Sequence, residues 1–226
     1  MRKVWLFTFG LFFSFSLQAQ FGVKGAYHFS DAADWQAFST ENGAAESIIG
    51  NGWSVGVDYW FRLKKHRVEF LPELNYSLLQ QDFPNLGWSN DASFTSFFFN
   101  TNLYIFDLKG DCDCPTFSKQ GPTLKKGVFI QLSPGISYAA SELTLPSTTL
   151  KANTVAFSIG AGIGFDLGLS DLLTLSPMLG LRYYPGIQWD TFAATKAETD
   201  NFPVLDNTSS LNQWYAGLRL GIRLDQ

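Results

Sequence analysis

The sequence predicts an all-β fold, an eight-stranded antiparallel transmembrane up-and-down β-barrel with both termini periplasmic. Three observations predict it. The chain opens with an export leader, no later stretch is apolar for long enough to cross a bilayer as a helix, and period-two alternation recurs in segments of about ten residues. Only helices and closed barrels satisfy their backbone hydrogen bonds within lipid. An exported chain without a second hydrophobic helix is therefore either soluble outside the cytoplasm or a membrane barrel.

The leader comes first. Met1, Arg2 and Lys3 give a basic start, Val4 to Leu17 is apolar, and Leu17-Gln18-Ala19-Gln20 offers a small residue for cleavage after Ala19. This reads as a signal peptide over residues 1–19, leaving 20–226 as one barrel domain. Its apolar run falls short of the ~20 residues a membrane helix needs.

Eight alternating stretches follow. In the first, Phe21, Val23, Gly25, Tyr27 and Phe29 share a face opposite Lys24 and His28. In the second, Trp53, Val55, Val57, Tyr59 and Phe61 oppose Ser54, Gly56 and Asp58. In the third, Val68, Phe70, Leu74, Tyr76 and Leu78 alternate with Glu69, Glu73 and Asn75. The fourth is expected over Ser93 to Asp107, with Phe97, Phe99, Leu103 and Ile105 opposite Ser96, Asn100, Asn102 and Tyr104. The fifth sets Val128, Ile130, Leu132, Ile136 and Tyr138 against Gln131, Ser133, Gly135 and Ser137. In the sixth, Val155, Phe157, Ile159, Ile163, Phe165 and Leu167 oppose Ser158, Gly160, Gly162, Gly164 and Asp166. The seventh carries Leu173, Leu175, Leu179, Leu181 and Tyr183 against Thr174, Ser176, Gly180 and Arg182. The eighth carries Trp214, Leu218, Leu220, Ile222 and Leu224 against Gln213, Gly217, Arg219 and Arg223. Soluble strands average nearer five or six residues, so these lengths favour a tilted membrane strand.

Connection lengths are expected to alternate, as in outer-membrane barrels. Long polar loops at Ser30–Gly52, Gln80–Ala92, Ser141–Thr154 and Pro185–Leu211 fall on the outer side. Tight links at Leu63–Arg67 and around Ser170-Asp171 fall on the periplasmic side, where residues 108–127 form one long insertion.

Composition agrees with a lipid-facing surface. Aromatic and charged residues each make up 16% of the chain. Loss of Arg2 and Lys3 moves the net charge from −4 to −6, and an acidic chain gives no reason to expect nucleic acid.

The polar face would point into the lumen, where Lys24, Asp58, Glu69, Glu73, Arg182, Arg219 and Arg223 are expected to form a charge network. An eight-stranded barrel is just wide enough to be filled by its own side chains. A packed polar plug is the first reading, a narrow path for solute or ions the second. Glycines of the sixth strand are expected to make room for the long arginines.

Other candidate chemistry is sparse. Asp111-Cys112-Asp113-Cys114-Pro115 is the one compact constellation. Export permits a Cys112–Cys114 disulfide, although the one-residue gap closes a strained ring. A free thiol pair is the alternative. Zinc would need four ligands, and beyond two cysteines only Asp111, Asp113 and His66 are near, so no metal or other cofactor is expected. The segment's length marks it instead as a partner-docking element. Catalysis is not expected, because His28 and His66 are the only histidines and no Gly-x-Ser-x-Gly elbow occurs. Gly160-Ala161-Gly162-Ile163-Gly164 lies inside an alternating strand with no following helix, the wrong context for a nucleotide loop. Trp53, Trp60, Trp189, Trp214 and Tyr215 are expected in interfacial girdles, while Trp35 and Trp88 fall on loops.

Four segments carry a family resemblance. Phe21-Gly22-Val23-Lys24-Gly25-Ala26-Tyr27-His28-Phe29-Ser30 resembles the opening strand of the small outer-membrane β-barrel domain common in Bacteroidota, the PorT-like group, with OmpX-like architecture. Leu71-Pro72-Glu73-Leu74-Asn75-Tyr76-Ser77 is similar to that family's Pro-Glu-Leu-x-Tyr-Ser strand. Leu181-Arg182-Tyr183-Tyr184-Pro185-Gly186-Ile187 resembles its penultimate strand and Gly217-Leu218-Arg219-Leu220-Gly221-Ile222-Arg223-Leu224 its closing one. The chain departs from the pattern in ending Leu224-Asp225-Gln226 rather than on an aromatic residue. The resemblance implies an outer-membrane barrel, with a role in secretion or biogenesis in a few members.

The expectation is an integral outer-membrane barrel serving as a structural or accessory component, whose partners are the lipid bilayer and periplasmic or outer-membrane proteins. A narrow pore or small-ligand binder using the charged lumen is the alternative. A soluble lipocalin-like binder is a third, and it would turn Phe97, Phe99, Leu218 and Ile222 inward.

Overall fold

The fold was analysed in a computed structural model of the chain. It describes residues 20–32, 35, 48–63, 66–85, 87–106, 127–170, 172–189 and 208–223, without the side chains of Arg62 and Arg223. The expected signal peptide, the bulk of the 108–127 insertion with Cys112 and Cys114, and the tips of several connections lie outside the described residues.

Among the described residues, nine strands form one antiparallel sheet: β1 (Gln20–Asp31), β2 (Asn51–Arg62), β3 (Val68–Phe83), β4 (Trp88–Leu103), β5 (Val128–Thr144), β6 (Thr149–Phe165), β7 (Leu167–Gly168), β8 (Leu173–Gln188) and β9 (Thr208–Arg223). The short β7 continues β6 past a one-residue break at Asp166, so the wall has eight staves. Neighbours in sequence are neighbours in space, β1 pairs with β9, and a β6–β8 pairing closes the ring. Closure removes every free sheet edge at mid-wall, as lipid requires. With an even number of staves, Gln20 and Arg223 pair at the same end, here called the terminal end. The opposite end is the distal one.

The strands run longer than alternation alone suggests. β4 begins at Trp88 rather than Ser93, and β6 at Thr149 rather than Val155. The expected long distal loops at Gln80–Ala92 and Ser141–Thr154 are therefore four-residue hairpin turns, 84–87 and 145–148. In the first, Gly87 donates to the Pro84 carbonyl at 3.3 Å with φ of 65°, a conformation that favours glycine. In the second, Leu145 N donates to the Thr148 carbonyl at 2.8 Å. Polar outward residues carry these extensions past the apolar belt, which hid them from a search for apolar periodicity.

The outer face is hydrocarbon. Phe97, Phe99, Leu218 and Ile222 point outward and are exposed, with Val55, Leu74, Ile136, Phe157 and Leu179. That orientation excludes the lipocalin-like alternative. The apolar stretches of β1 (Phe21–Phe29), β2 (Trp53–Phe61) and β6 (Val155–Phe165) each match the ~9–11 residues a tilted strand needs to cross a bilayer. At the distal limit the outward residues turn polar: Asp31, Asn51, Gln80, Asp91, Glu142, Lys151 and Asn212. Aromatic rings line both limits. Tyr27 meets Trp53 edge-on at 4.7 Å near the distal limit, and Phe21 meets Tyr59 at 5.6 Å near the terminal one. Of the expected girdle residues, Trp53 and Trp214 face outward, whereas Trp60, Trp189 and Tyr215 are buried inside.

Candidate functional site

Inward positions alternate with the lipid-facing ones and fill the lumen in two layers. Among the described residues the buried charges balance, with Lys24, Arg67, Arg182 and Arg219 against Asp58, Glu69, Glu73 and Asp166. Buried charges need partners, and staves two apart supply them, β1 with β3 and β9 with β2.

In the middle of the polar layer, β1 places the Lys24 ammonium 2.5 Å from Glu73 Oε2 on β3. Glu73 also accepts from Asn100 Nδ2 at 2.6 Å and Asn75 Nδ2 at 3.0 Å. Asn100 in turn accepts from the Ser133 hydroxyl. On the terminal side, Arg219 binds Asp58 through Nη2 at 2.5 Å and Nε at 2.7 Å, a bidentate fork that lysine could not reproduce. The Tyr104 hydroxyl lies 2.7 Å from Glu69 Oε2 and 2.6 Å from Asp166 Oδ2. Ser176 donates to the other oxygen of Asp166, and the Arg67 guanidinium sits 4.4 Å over the Tyr104 ring.

Arg182 is different. It is only 3% exposed, yet among the described residues no carboxylate lies within ion-pair distance. Its guanidinium rests 3.4 Å from the centre of the Phe98 ring and 5.5 Å from that of Tyr215. Its Nε makes no hydrogen bond, nor do Ser158 Oγ and His28 Nδ1 nearby in the lumen. His28 Nε2 contacts Ser54 Oγ at 2.8 Å, a buried pair whose ring no acid among the described residues holds. The side chain of Arg223 lies outside the described residues.

The distal third of the lumen is apolar, which corrects the expectation of a polar interior throughout. Phe94, Ala139, Leu143, Tyr184, Ile187 and Leu211 from the wall enclose Trp35, Ile48 and Ile49 from the β1–β2 connection. Trp35 stacks on Trp189 at 5.1 Å and 14°. Asn90 ties this plug to the wall, donating to the Ile48 carbonyl at 2.8 Å and accepting from Ser141 at 3.0 Å. The visible signal is a loss of alternation, since Leu78-Leu79 and Ala139-Ala140 are apolar on both faces.

Glycines make room for rings rather than arginines in β6. A Cβ on Gly164 would overlap the Phe129 ring, and one on Gly162 would lie 2.8 Å from the Leu179 carbonyl oxygen and 3.1 Å from the Tyr215 hydroxyl. The glycines against Arg219 are Gly22 and Gly221 on β1 and β9. Asp166, Arg67, Tyr104, Asn75 and Asn100 join the network beyond the seven residues expected there.

No family model matches the chain, and no curated protein does. Solved structures similar to it are barrels. Neisserial surface protein A (NspA) shares 11% identity over 89% of this chain and 96% of its own, with a TM-score of 0.44. Ail, the attachment invasion locus protein of Yersinia pestis, shares 10% over 91% and 98%, with a TM-score of 0.46. A major outer membrane protein from Thermus thermophilus shares 12% over 90% and 99%, with a TM-score of 0.47.

Proposed function

We propose that the chain is an integral outer-membrane barrel, its terminal end in the periplasm, acting as a structural or accessory component of an envelope assembly with a role in secretion or biogenesis. The observation that carries this reading is the filled lumen. Lys24, Glu73 and Arg182 are each 3% exposed or less within a hydrogen-bonded layer, and a stacked tryptophan plug lies distal to it. Such an interior favours a rigid anchor over a conducting path. The reading is non-enzymatic, because among the described residues no acid contacts the buried His28–Ser54 pair. The periplasmic insertion with Cys112 and Cys114 is the proposed docking element for a protein partner.

The test is mild-detergent purification from native outer membranes with a tag near Asn201. The expected result is a stoichiometric partner that is lost when Gly110–Lys126 is deleted while heat-modifiable migration persists. A clean monomer with steady single-channel conductance in planar bilayers would overturn the reading.

A further inference from the structure

A recess marks the distal limit of the apolar belt on β3–β6. Ser93 and Ala140 face outward side by side on β4 and β5, and their short side chains leave the backbone bare between taller neighbours. Two residues toward the terminal end stand Tyr76 of β3 and Tyr138 of β5, both exposed. Two residues toward the distal end, Asp91 and Glu142 are directly opposed, with Gln80 and Lys151 flanking them on β3 and β6. The recess so bounded encloses about 380 Å³, within the roughly 300–1,000 Å³ of small-ligand sites.

These neighbours fix its depth in the membrane. Tyrosines gather where hydrocarbon meets headgroups, and the outward row of Gln80, Asp91, Glu142 and Lys151 is wholly polar. The recess lies between the two, at the level of a lipid's head and upper chain rather than in the middle of the hydrocarbon.

The mouth of the recess is acidic. The charged residues of the two distal hairpins, 79–92 and 141–154, are Asp82, Asp91 and Glu142 against Lys151, three acids to one base and a net −2. Lys151 Nζ pairs with Glu142 Oε2 at 2.8 Å and so covers one acid. Asp91 meets only a neutral amide among the described residues, Gln80 Nε2 donating to its Oδ1 at 2.9 Å. Like charges directly opposed across two strands are destabilising, and an amide does not relieve that. A cation on the open oxygen of Asp91 does, and one with hydrogens to give adds charge-assisted hydrogen bonds. The Lys151 side chain is 70% exposed and at hand for an anion beside that cation. Toward the belt, exposed Leu78, Tyr76 and Tyr138 offer apolar surface to a chain. Cation, anion and chain together describe a zwitterionic lipid.

We propose that this recess on the outer wall of β3–β6 binds a bilayer lipid with a primary-ammonium head, its amine on Asp91 and Glu142, its phosphate on Lys151 and its upper chain over Ser93 and Ala140. The full mature chain is reconstituted in phosphatidylcholine vesicles with equal traces of ethanolamine and choline phospholipids, each bearing a diazirine near the ester end of one chain. After irradiation, adducts are mapped by peptide mass spectrometry, and their masses tell the two heads apart. Ethanolamine adducts are expected to exceed choline adducts roughly two- to fivefold at Ser93, Ala140 or Tyr138, the scale of an exposed ion pair. The reference is the opposite wall, where lipid-facing Phe29 and Trp214 pair near the same depth and the ratio should be near one. Labelling there also reports separately that the barrel stands in the bilayer, on which the proposal rests. Asp91→Asn with Glu142→Gln should bring the recess to the reference ratio while leaving the reference unchanged, which separates loss of the head site from misfolding. Equal ratios at the two walls of the unmodified chain would overturn the site and leave unselective boundary lipid. A magnesium-dependent excess of a phosphatidylglycerol probe at Ser93 and Ala140 would overturn the ammonium head in favour of a divalent cation.

Discussion

Lys24 and Glu73 lie 49 positions apart in sequence, on strands separated by β2, yet their charged atoms meet at 2.5 Å inside the barrel. Neither faces water, so each is stabilised mainly by the other, and Glu73 also by the amides of Asn75 and Asn100. Such a contact fixes register as much as stability. A slip of β1 by one residue would turn Lys24 into lipid and leave Glu73 alone.

Breaking that pair from one side should therefore hurt more than removing both charges. Lys24→Met leaves a buried carboxylate with amide partners only, and is expected to cost about 3–5 kcal/mol. Lys24→Met with Glu73→Gln leaves the layer's net charge unchanged and keeps an acceptor for Asn100, so most of the loss should return. Urea unfolding from lipid vesicles, followed by the heat-modifiable gel shift, measures both. A double variant as unstable as the single one would show that the pair is not coupled in this way.

Gly164→Ala tests the ring packing. The added methyl overlaps the Phe129 ring, and overpacking of this kind costs typically 1–3 kcal/mol. Phe129→Leu in the same chain should recover part of it. Gly25→Ala is the control, because nothing lies within 4 Å of its Cβ position and the residue faces lipid. Its change in unfolding midpoint should be close to zero.

At the terminal end, one phenol stands between two carboxylates. Tyr104→Phe keeps the ring against Phe129 and Arg67 but removes the oxygen that contacts both Glu69 and Asp166. Leaving buried acceptors unmet costs about 1–3 kcal/mol. The expected signature is a lower unfolding midpoint with an unchanged near-ultraviolet spectrum from the distal tryptophans. An unchanged midpoint would mean that water replaces the hydroxyl without loss.

Much of this architecture was legible from the period-two pattern, because each outward Val, Phe or Leu fixes the parity of its whole strand. Parity alone turned Lys24, Asp58, Glu69, Glu73, Arg182 and Arg219 inward. Pairing distances were not legible, since Lys24 meets Glu73 only through a register set by the intervening strand. Polar strand ends were missed for a related reason. Outward Asn153 and Lys151 stand beyond the lipid belt, so they read as loop although their backbones continue the β5–β6 ladder. The distal plug was hidden because apolar residues on both faces erase the alternation that marked the strands elsewhere. Trp60, Trp189 and Tyr215 lie inside rather than in the girdles because parity, not proximity to a strand end, sets the face a side chain takes.

Two layers in series make a prediction about conductance. The Trp35–Trp189 stack seals the distal third, while Phe98, Arg182, Lys24 and Glu73 pack the middle. Trp189→Ala removes one face of the stack and should destabilise the barrel by about 3–5 kcal/mol, as large-to-small core changes do. It should not admit ions, because the middle layer remains closed. Phe98→Ala alone should likewise leave the distal plug as a barrier. Even the combination of Trp189→Ala and Phe98→Ala should leave planar-bilayer conductance at baseline, because the Arg219–Asp58 fork and the contacts of Tyr104 with Glu69 and Asp166 still fill the terminal side. Conductance from Trp189→Ala alone would mean that the charged middle layer is not a seal, and that the accessory reading must yield to a gated pore.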